Sequence, residues 1–246
     1  MTAEQRAREL AQFFGISETD ALAKLNLGFG YHHTEVTADW NRANPQTDEE
    51  ILEWYRTTDS YIWELSAYHE DVNFAYMKMI GGISESLRVK GVNRVLCLGD
   101  GIGDLTLSLA CDGLAATYHD LAGSRTSRFA LERLNYHLGR EWGKFGMNMT
   151  TGWNPFNYSV NDKYDAIVSL DYLEHLTRPD LWMRQIYAAL NPNGWALLQN
   201  AFAIGSGPDG SIPCHLARND KYETEYGPLM LEIGFVQEGT SNWWRK

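Results

Sequence analysis

The chain is poor in cysteine. Its three residues of this type, Cys97, Cys111 and Cys214, stand far apart with no CxxC pair. That spacing argues against a disulfide scaffold and against a thiolate zinc site, and it suits a reducing compartment. No run comes near the roughly 18 apolar residues that a membrane-spanning helix requires. The opening Met1-Thr2-Ala3-Glu4-Gln5-Arg6 is polar where a secretory leader would be apolar. A soluble, cytoplasmic protein with no membrane partner is the expectation. Basic charge is also scarce: 21 Lys and Arg face 32 Asp and Glu, for a formal net charge of −11. Gripping a phosphate backbone takes a basic stripe, so nucleic acid is not a favoured partner. What remains is ordinary globular material, 44% apolar over 246 residues. That is enough for one large domain or for a core with an appendage.

Two regions are legible. Residues 1–90 read as helical and aromatic. Arg6 to Phe14 and Ala21 to Leu27 carry apolar positions at helical spacing, and Gly28-Phe29-Gly30 breaks the second. A polar stretch through Asn44-Pro45 follows. Thr47-Asp48-Glu49-Glu50 has the form of a capping box opening the next helix. Asp59 or Ser60 is placed to cap another, with Tyr61, Leu65 and Tyr68 on one face, and a last helix spans about Phe74 to Val89. Residues 91–246 alternate instead. Strands are expected at Arg94 to Leu98, Ala115 to His119, Asn148 to Thr151, Tyr164 to Leu170 and Trp195 to Asn200. Helices are expected at Ser124 to Leu138, Pro179 to Leu190 and Asp220 to Ile233, with Phe235 to Trp244 as a terminal hairpin. Alternation of this kind builds a parallel sheet with helices on both faces, and ligands then bind at the carboxyl ends of the strands.

The densest signal is Arg94-Val95-Leu96-Cys97-Leu98-Gly99-Asp100-Gly101-Ile102-Gly103-Asp104. A short apolar run feeds three glycines spaced two apart, and an apolar stretch begins directly after. A strand, a bare-backbone turn and a helix start follow from that order. Glycine permits close ligand approach, and the new helix end offers unpaired N–H groups and a positive dipole end. The dinucleotide fingerprint G-x-G-x-x-G is missing, since its third glycine would fall on Thr106 or Asp104. Three further blocks add to the signal. Asp120 stands at the end of the second strand. Tyr164-Asp165-Ala166-Ile167-Val168-Ser169-Leu170-Asp171-Tyr172-Leu173-Glu174-His175-Leu176 ends the fourth in a polar cluster. Leu190-Asn191-Pro192-Asn193-Gly194-Trp195 has the form of a tight turn into the fifth.

With these four blocks in order, the chain resembles the class I S-adenosylmethionine-dependent methyltransferases over roughly residues 92–200. The resemblance implies an α/β, Rossmann-like three-layer sandwich with a seven-stranded, mostly parallel sheet, here with an N-terminal helical lid. It implies S-adenosyl-L-methionine as cofactor. Gly99, Asp100, Gly101 and Gly103 would face its methionine portion, Asp120 its ribose and Leu121 its adenine. Asn154 would meet the adenine edge, and Asp171 and Tyr172 would border the sulfonium. Where the family usually carries an acid two positions before the first glycine, this chain has Cys97.

Methyl transfer needs alignment of a nucleophile and, where required, removal of its proton. Candidates cluster after the fourth strand. If the chain enters a helix there, Asp171, Glu174 and His175 share one face. His175 titrates near neutrality and suits a general base; the alternative is that Glu174-His175 caps a helix and packs on the sheet. His215, in the long segment from Phe202 to Asn219 with Gly205, Gly207, Gly210 and Pro213, is a second catalytic candidate, against a purely structural histidine. Tyr61 and Tyr68 are the preferred contacts from the aromatic segment that also holds Tyr31, His32, His33, Trp40, Trp54, Tyr55, Trp63 and His69, most of which would pack the lid. A divalent metal is not favoured, although Asp171, Glu174, His175 and His215 form an alternative ligand set and some relatives carry E-x-x-E-H. The expected activity is transfer to an O, N or C atom of a small molecule. A metal-dependent RNA-end methyltransferase and a non-catalytic partner of the same fold are the competing readings, and a homodimer stays open.

Overall fold

The computed structural model describes residues 2–71, 75–139, 147–150, 163–202 and 214–246. Helices lead: α1 (Ala3–Phe14), α2 (Glu18–Leu25), α3 (Gly28–Ala43), α4 (Asp48–Thr57), α5 (Ser60–Glu70) and α6 (Tyr76–Val89). Alternation follows, through β1 (Arg94–Leu98), α7 (Asp104–Cys111), β2 (Ala115–Leu121), α8 (Arg125–Leu138), β3 (Met147–Thr150) and β4 (Tyr164–Leu170). The chain closes with α9 (Pro179–Ala189), β5 (Leu190–Gln199), α10 (Tyr222–Ile233), β6 (Val236–Gln237) and β7 (Trp243–Arg245). The strands form one seven-stranded sheet in the order β3-β2-β1-β4-β5-β7-β6. β1 to β5 are parallel, and β7 is reversed, pairing antiparallel with β5 on one side and β6 on the other. No helix among the described residues is long and apolar enough to cross a membrane.

Side-chain alternation along the strands makes the three layers. Leu96, Leu98, Ile167, Ala196 and Leu198 point to one face and pack with Trp182, Met183 and Ile186 of α9 and Met230 of α10. Val95, Cys97, Ala166, Val168 and Leu197 point to the other, against Ile80, Ile83 and Leu87 of α6 and Leu105 and Leu109 of α7. The sheet order places a topological switch at β1, whose neighbours β2 and β4 are entered by connections going opposite ways.

The first five helices cap that switch. Local chemistry starts several of them: Thr2 and Gln5 form a capping box on α1, and Thr47 and Glu50 form the expected one on α4. Ser17 and Ser124 cap α2 and α8 by accepting main-chain N–H bonds. The cap has its own core of Leu10, Ala21, Leu25, Ile62 and Trp63, continued into the sandwich by Ile102 and Phe129.

Three expectations are corrected. Gly28-Phe29-Gly30 does not break into a polar stretch. Gly28 at φ 81° admits the chain to α3, which runs to Ala43 and is held by the buried His32 and Val36. The Asn191-Pro192-Asn193-Gly194 turn does not precede the fifth strand. Leu190 already pairs with Tyr164, and the register shifts before Trp195 meets Ala166, so the turn is a bulge within β5. No α-helix follows β4 directly. Asp171 takes a left-handed φ of 49° and a short 3-10 turn, Leu173–His175, comes next. The predicted shared helical face of Asp171, Glu174 and His175 is therefore not the geometry that brings them to the site. Thr151 and Phe74, expected ends of a strand and a helix, lie outside the described residues.

Candidate active site

A cleft of about 960 Å³ of empty space, open to solvent, lies between the cap and the carboxyl ends of β1, β2 and β4. Its floor is the glycine turn. Gly99 and Gly101 both sit at positive φ, 68° and 51°. A methyl on Gly99 would come within 2.2 Å of the Tyr172 ring, which excludes a side chain there; at Gly101, where the methyl would meet only the tip of Leu65 at 2.8 Å, the left-handed φ is what favours glycine. The main chain of Gly101 is fixed on both sides. Its N–H donates to Asp120 Oδ2 at 2.7 Å, and its carbonyl accepts from the Tyr118 hydroxyl at 2.8 Å. Gly103 departs from expectation. It heads α7 with its Cα turned toward Ala130 and Leu134 of α8, so its role is helix packing and not approach to a ligand.

The acid expected before the turn is found within it. Cys97 is buried in the α6–α7 face, its thiol pushed up by burial and by nearby Asp100. Asp100 accepts the N–H groups of Leu105 at 3.1 Å and Thr106 at 2.7 Å, occupying the first turn of α7. Burial raises its pKa to about 7. Asp120 also accepts the N–H of Leu121 at 2.6 Å, and burial raises it to about 6. Each of its oxygens keeps a further lone pair for a ligand hydroxyl. Asp171, raised by burial to about 6, completes a ring of three carboxylates on the cleft wall. Leu121, Tyr172, Tyr61 and Tyr68 line the same cleft. Asn154 lies outside the described residues, as do Gly205, Gly207, Gly210 and Pro213.

His175 lines the cleft where core meets cap. Its Nδ1 lies 3.0 Å from the Tyr55 hydroxyl and 3.2 Å from the Cys214 carbonyl; its Nε2 lies 3.3 Å from the Tyr61 hydroxyl. Burial and the neighbouring His215 hold its pKa well below the usual histidine value, so the ring is neutral. His215 is placed otherwise than expected. It packs edge-on against His175 at 4.6 Å between centroids and is not part of the cleft wall. Glu174 faces away from the cleft. One carboxylate oxygen accepts the Ala201 N–H at 3.0 Å, the other has no partner among the described residues, and burial raises its pKa to about 8. The alternative metal set loses a member: Glu174, His175 and His215 offer ligand atoms within 4.8 Å of one another, and Asp171 stands outside that group. Both ring nitrogens of His175 are meanwhile engaged by Tyr55, Tyr61 and Cys214.

The aromatic segment divides between wall and packing. Tyr55, Tyr61, Tyr68 and His69 face the cleft. Trp40 and Trp54 pack around Val36 and Cys214, Trp63 lies in the cap core, His32 bonds the Lys24 carbonyl, and His33 pairs with Glu64 at 2.6 Å. Tyr31 is exposed. Sequence reasoning passed over Tyr76, which lines the cleft and stacks on His69 at 3.7 Å, and gave Tyr55 no preference. Tyr55 ends one helix and Tyr61 begins another, so no single helical periodicity relates them.

A family model described as a methyltransferase domain matches residues 84–220. Among solved structures, an O-methyltransferase family protein from Burkholderia thailandensis is similar at a TM-score of 0.53 and 14% identity, over 97% of this chain and 86% of that one. A Galdieria sulphuraria protein provisionally named a sarcosine dimethylglycine methyltransferase gives a TM-score of 0.52 at 19% identity, over 69% of this chain and 64% of that one. At these identities the likeness is one of fold. No curated protein sequence matches the chain.

Proposed function

The chain belongs to the class I S-adenosylmethionine-dependent methyltransferase family, and from that premise we propose that it transfers a methyl group from S-adenosylmethionine to a small molecule held beneath the helical cap. The observation that carries this reading is the meeting of three features in one cleft: backbone bared at Gly101, the Asp120 carboxylate at the end of β2, and Asp171 with Tyr172 after β4. The donor supplies an activated methyl on a sulfonium, so the protein's work is binding and alignment. Gly101 gives its methionine portion room. Asp120 accepts from its ribose hydroxyls while Leu121 covers the adenine. Asp171 and the faces of Tyr68 and Tyr172 suit a cation. The cap closes the remaining side with Leu52, Leu65 and tyrosines, a wall for an apolar acceptor. Neither Lys nor Arg lines the cleft among the described residues, which is the reverse of what an RNA end requires.

Calorimetric titration with S-adenosylmethionine tests the reading. One site per chain is expected. Asp120→Ala is expected to weaken binding at least about tenfold, the size of one charge-assisted hydrogen bond or more. Absence of binding by the unaltered protein overturns the assignment, and unchanged affinity in the variant overturns the role of Asp120.

A further inference from the structure

Resting on that donor-site reading, we propose that the acceptor is an uncharged phenol whose hydroxyl proton leaves through Tyr61 to His175, across the seam between cap and core. The hydrogen bonds around His175 give the direction. The Cys214 carbonyl can only accept, so the nitrogen facing it, Nδ1, carries the ring proton. The Tyr55 hydroxyl donates to the same carbonyl at 3.2 Å and presents its oxygen to Nδ1. Tyr55 and Cys214 thereby fix both tautomer and ring orientation. Nε2 is left with its lone pair, and the hydroxyl 3.3 Å away belongs to Tyr61, which donates to it. The Tyr61 oxygen keeps lone pairs to accept from an acceptor hydroxyl in the cleft. The Cys214 thiol, kept neutral by burial, is the other neighbour of that hydroxyl.

The step balances. The acceptor oxygen forms its bond to the methyl carbon as the carbon–sulfur bond breaks, and the electron pair stays on sulfur. The acceptor's proton passes to Tyr61 Oη, and the proton of Tyr61 passes to His175 Nε2. Sulfur becomes neutral as imidazole becomes cationic, so the buried charge moves without changing in sum. That exchange offsets the burial that otherwise disfavours imidazolium.

The wall selects the acceptor. The cleft lining includes Leu52, Tyr55, Leu65 and Leu176, and among the described residues it holds no Lys or Arg to pair a carboxylate or phosphate. A buried anion there would be uncompensated. The tyrosine rings offer flat faces to a flat ring. A phenol arrives neutral, carries the one proton the relay removes, and is acidic enough to lose it as the new bond forms.

Tyr61 is thus a catalytic residue, and Tyr55 is a positioning residue acting through His175. The groups around His175 are Tyr55 from α4, Tyr61 from α5, Glu174 from its own turn, and Cys214 and His215 from the opposite segment, with the Glu64 carboxylate of α5 acting on Tyr55, Tyr61 and Cys214.

The experiment uses the full chain with isotope-labelled S-adenosylmethionine and a matched set of naphthols, naphthylamines and naphthoic acids, read by mass spectrometry. Donor affinity is measured calorimetrically alongside, and folding is checked by circular dichroism. Methylation confined to the naphthols is expected. Tyr61→Phe and His175→Gln are expected to lower kcat by about a hundredfold or more with donor Kd unchanged within about twofold. In the unaltered protein kcat should be level through neutral pH and fall on the acid side as His175 is protonated, and His175→Gln should abolish that limb. Tyr55→Phe should lower kcat less and shift the limb. Failure of the donor to bind overturns the donor-site reading itself. Normal donor binding with methylation of amines or acids, with no methylation of any naphthol, or with full turnover by Tyr61→Phe overturns the relay.

Discussion

Asp100 and Cys97 show how one turn keeps its electrostatics with its residues rearranged. Where the family resemblance places an acid at Cys97, this chain has Asp100 within the turn, which accepts the N–H groups of Leu105 and Thr106 in the first turn of α7 and stays on the cleft wall. A cationic donor bound in the cleft would meet three carboxylates, Asp100, Asp120 and Asp171, each raised by burial, to about 7, 6 and 6. The pH dependence has a definite sign. A carboxyl whose pKa is higher in the folded protein than the usual 3.8 or so contributes stability at low pH that is lost as pH rises through 6–7. A bound cation favours the ionised forms, so donor affinity should do the opposite. Calorimetry should show affinity falling as pH is lowered from about 7.5 to 5, by up to about tenfold per unit where a single proton is taken up. Over the same interval this group of carboxyls should push the thermal midpoint of the ligand-free protein upward. A level affinity profile would mean that these acids do not face the donor's charge. The Asp120→Asn variant should flatten the profile in part.

At the level of elements, the glycines of one motif divide between cleft floor and helix packing, and substitution at Gly101 and Gly103 should distinguish the two. Gly101→Ala puts a methyl 2.8 Å from Leu65 at a left-handed φ, inside the donor cleft. Gly103→Ala puts one 3.3 Å from Ala130 and Leu134, outside it. Both should cost about 1–2 kcal/mol of stability through backbone strain. Only Gly101→Ala should also weaken donor binding, by about tenfold or more if the donor lies on this turn; equal affinities for the two variants would refute the division. The glycine spacing was visible in the sequence, but the neighbour of each Cα was not. The same holds more widely. β1 and β4 match their expected limits because apolar runs end at glycine or polar residues. Helix α4 was legible from Thr47 and Glu50. Helix α3 was hidden because Gly28 and Gly30 carry a local breaking signal that packing of His32 and Val36 overrides. The turn after β4 was misread because a positive φ at Asp171 has no sequence mark in a non-glycine residue. The His175 cluster joins positions 114 and 120 residues apart, which periodicity cannot connect.

Across the whole molecule, cap and core are joined by buried charge. Asp104 opens α7 and is 2% exposed; Arg6 of α1, His69 of α5 and Arg133 of α8 converge on its two oxygens at 2.6–2.8 Å. Arg133 also bonds the Ile102 carbonyl and Glu9, and Glu9 in turn holds His137. Burial would raise the Asp104 carboxyl, but Arg133, Arg6 and His69 hold it well below its ordinary value. Because that pKa is depressed on folding, the stabilisation is present at neutral pH and is lost only as pH falls below the usual carboxylate range. At the other end of the cap the ion pairs are solvent-accessible, Arg218 with Asp48 and Arg125 with Asp59, and are worth little; the tie there is made by neutral hydrogen bonds, from Tyr55 to Cys214 and from Tyr55 and Tyr61 to His175. The charged anchor of the cap therefore lies at α1 and α5, beside the glycine turn. Removing one partner from the buried network leaves the others uncompensated, at a cost of about 3–5 kcal/mol. For a chain of this length that corresponds to a fall in the thermal midpoint on the order of 10 °C. Arg6→Met, which keeps the bulk of the side chain, should show that fall at pH 7 by calorimetry or circular dichroism. The deficit should shrink as the solution is acidified toward pH 3, where Asp104 loses its charge in the variant before it does so in the unaltered protein. A midpoint within 2 °C or so of the original at pH 7 would show that the network does not tie cap to core, since even 1 kcal/mol moves a chain of this size by about that much.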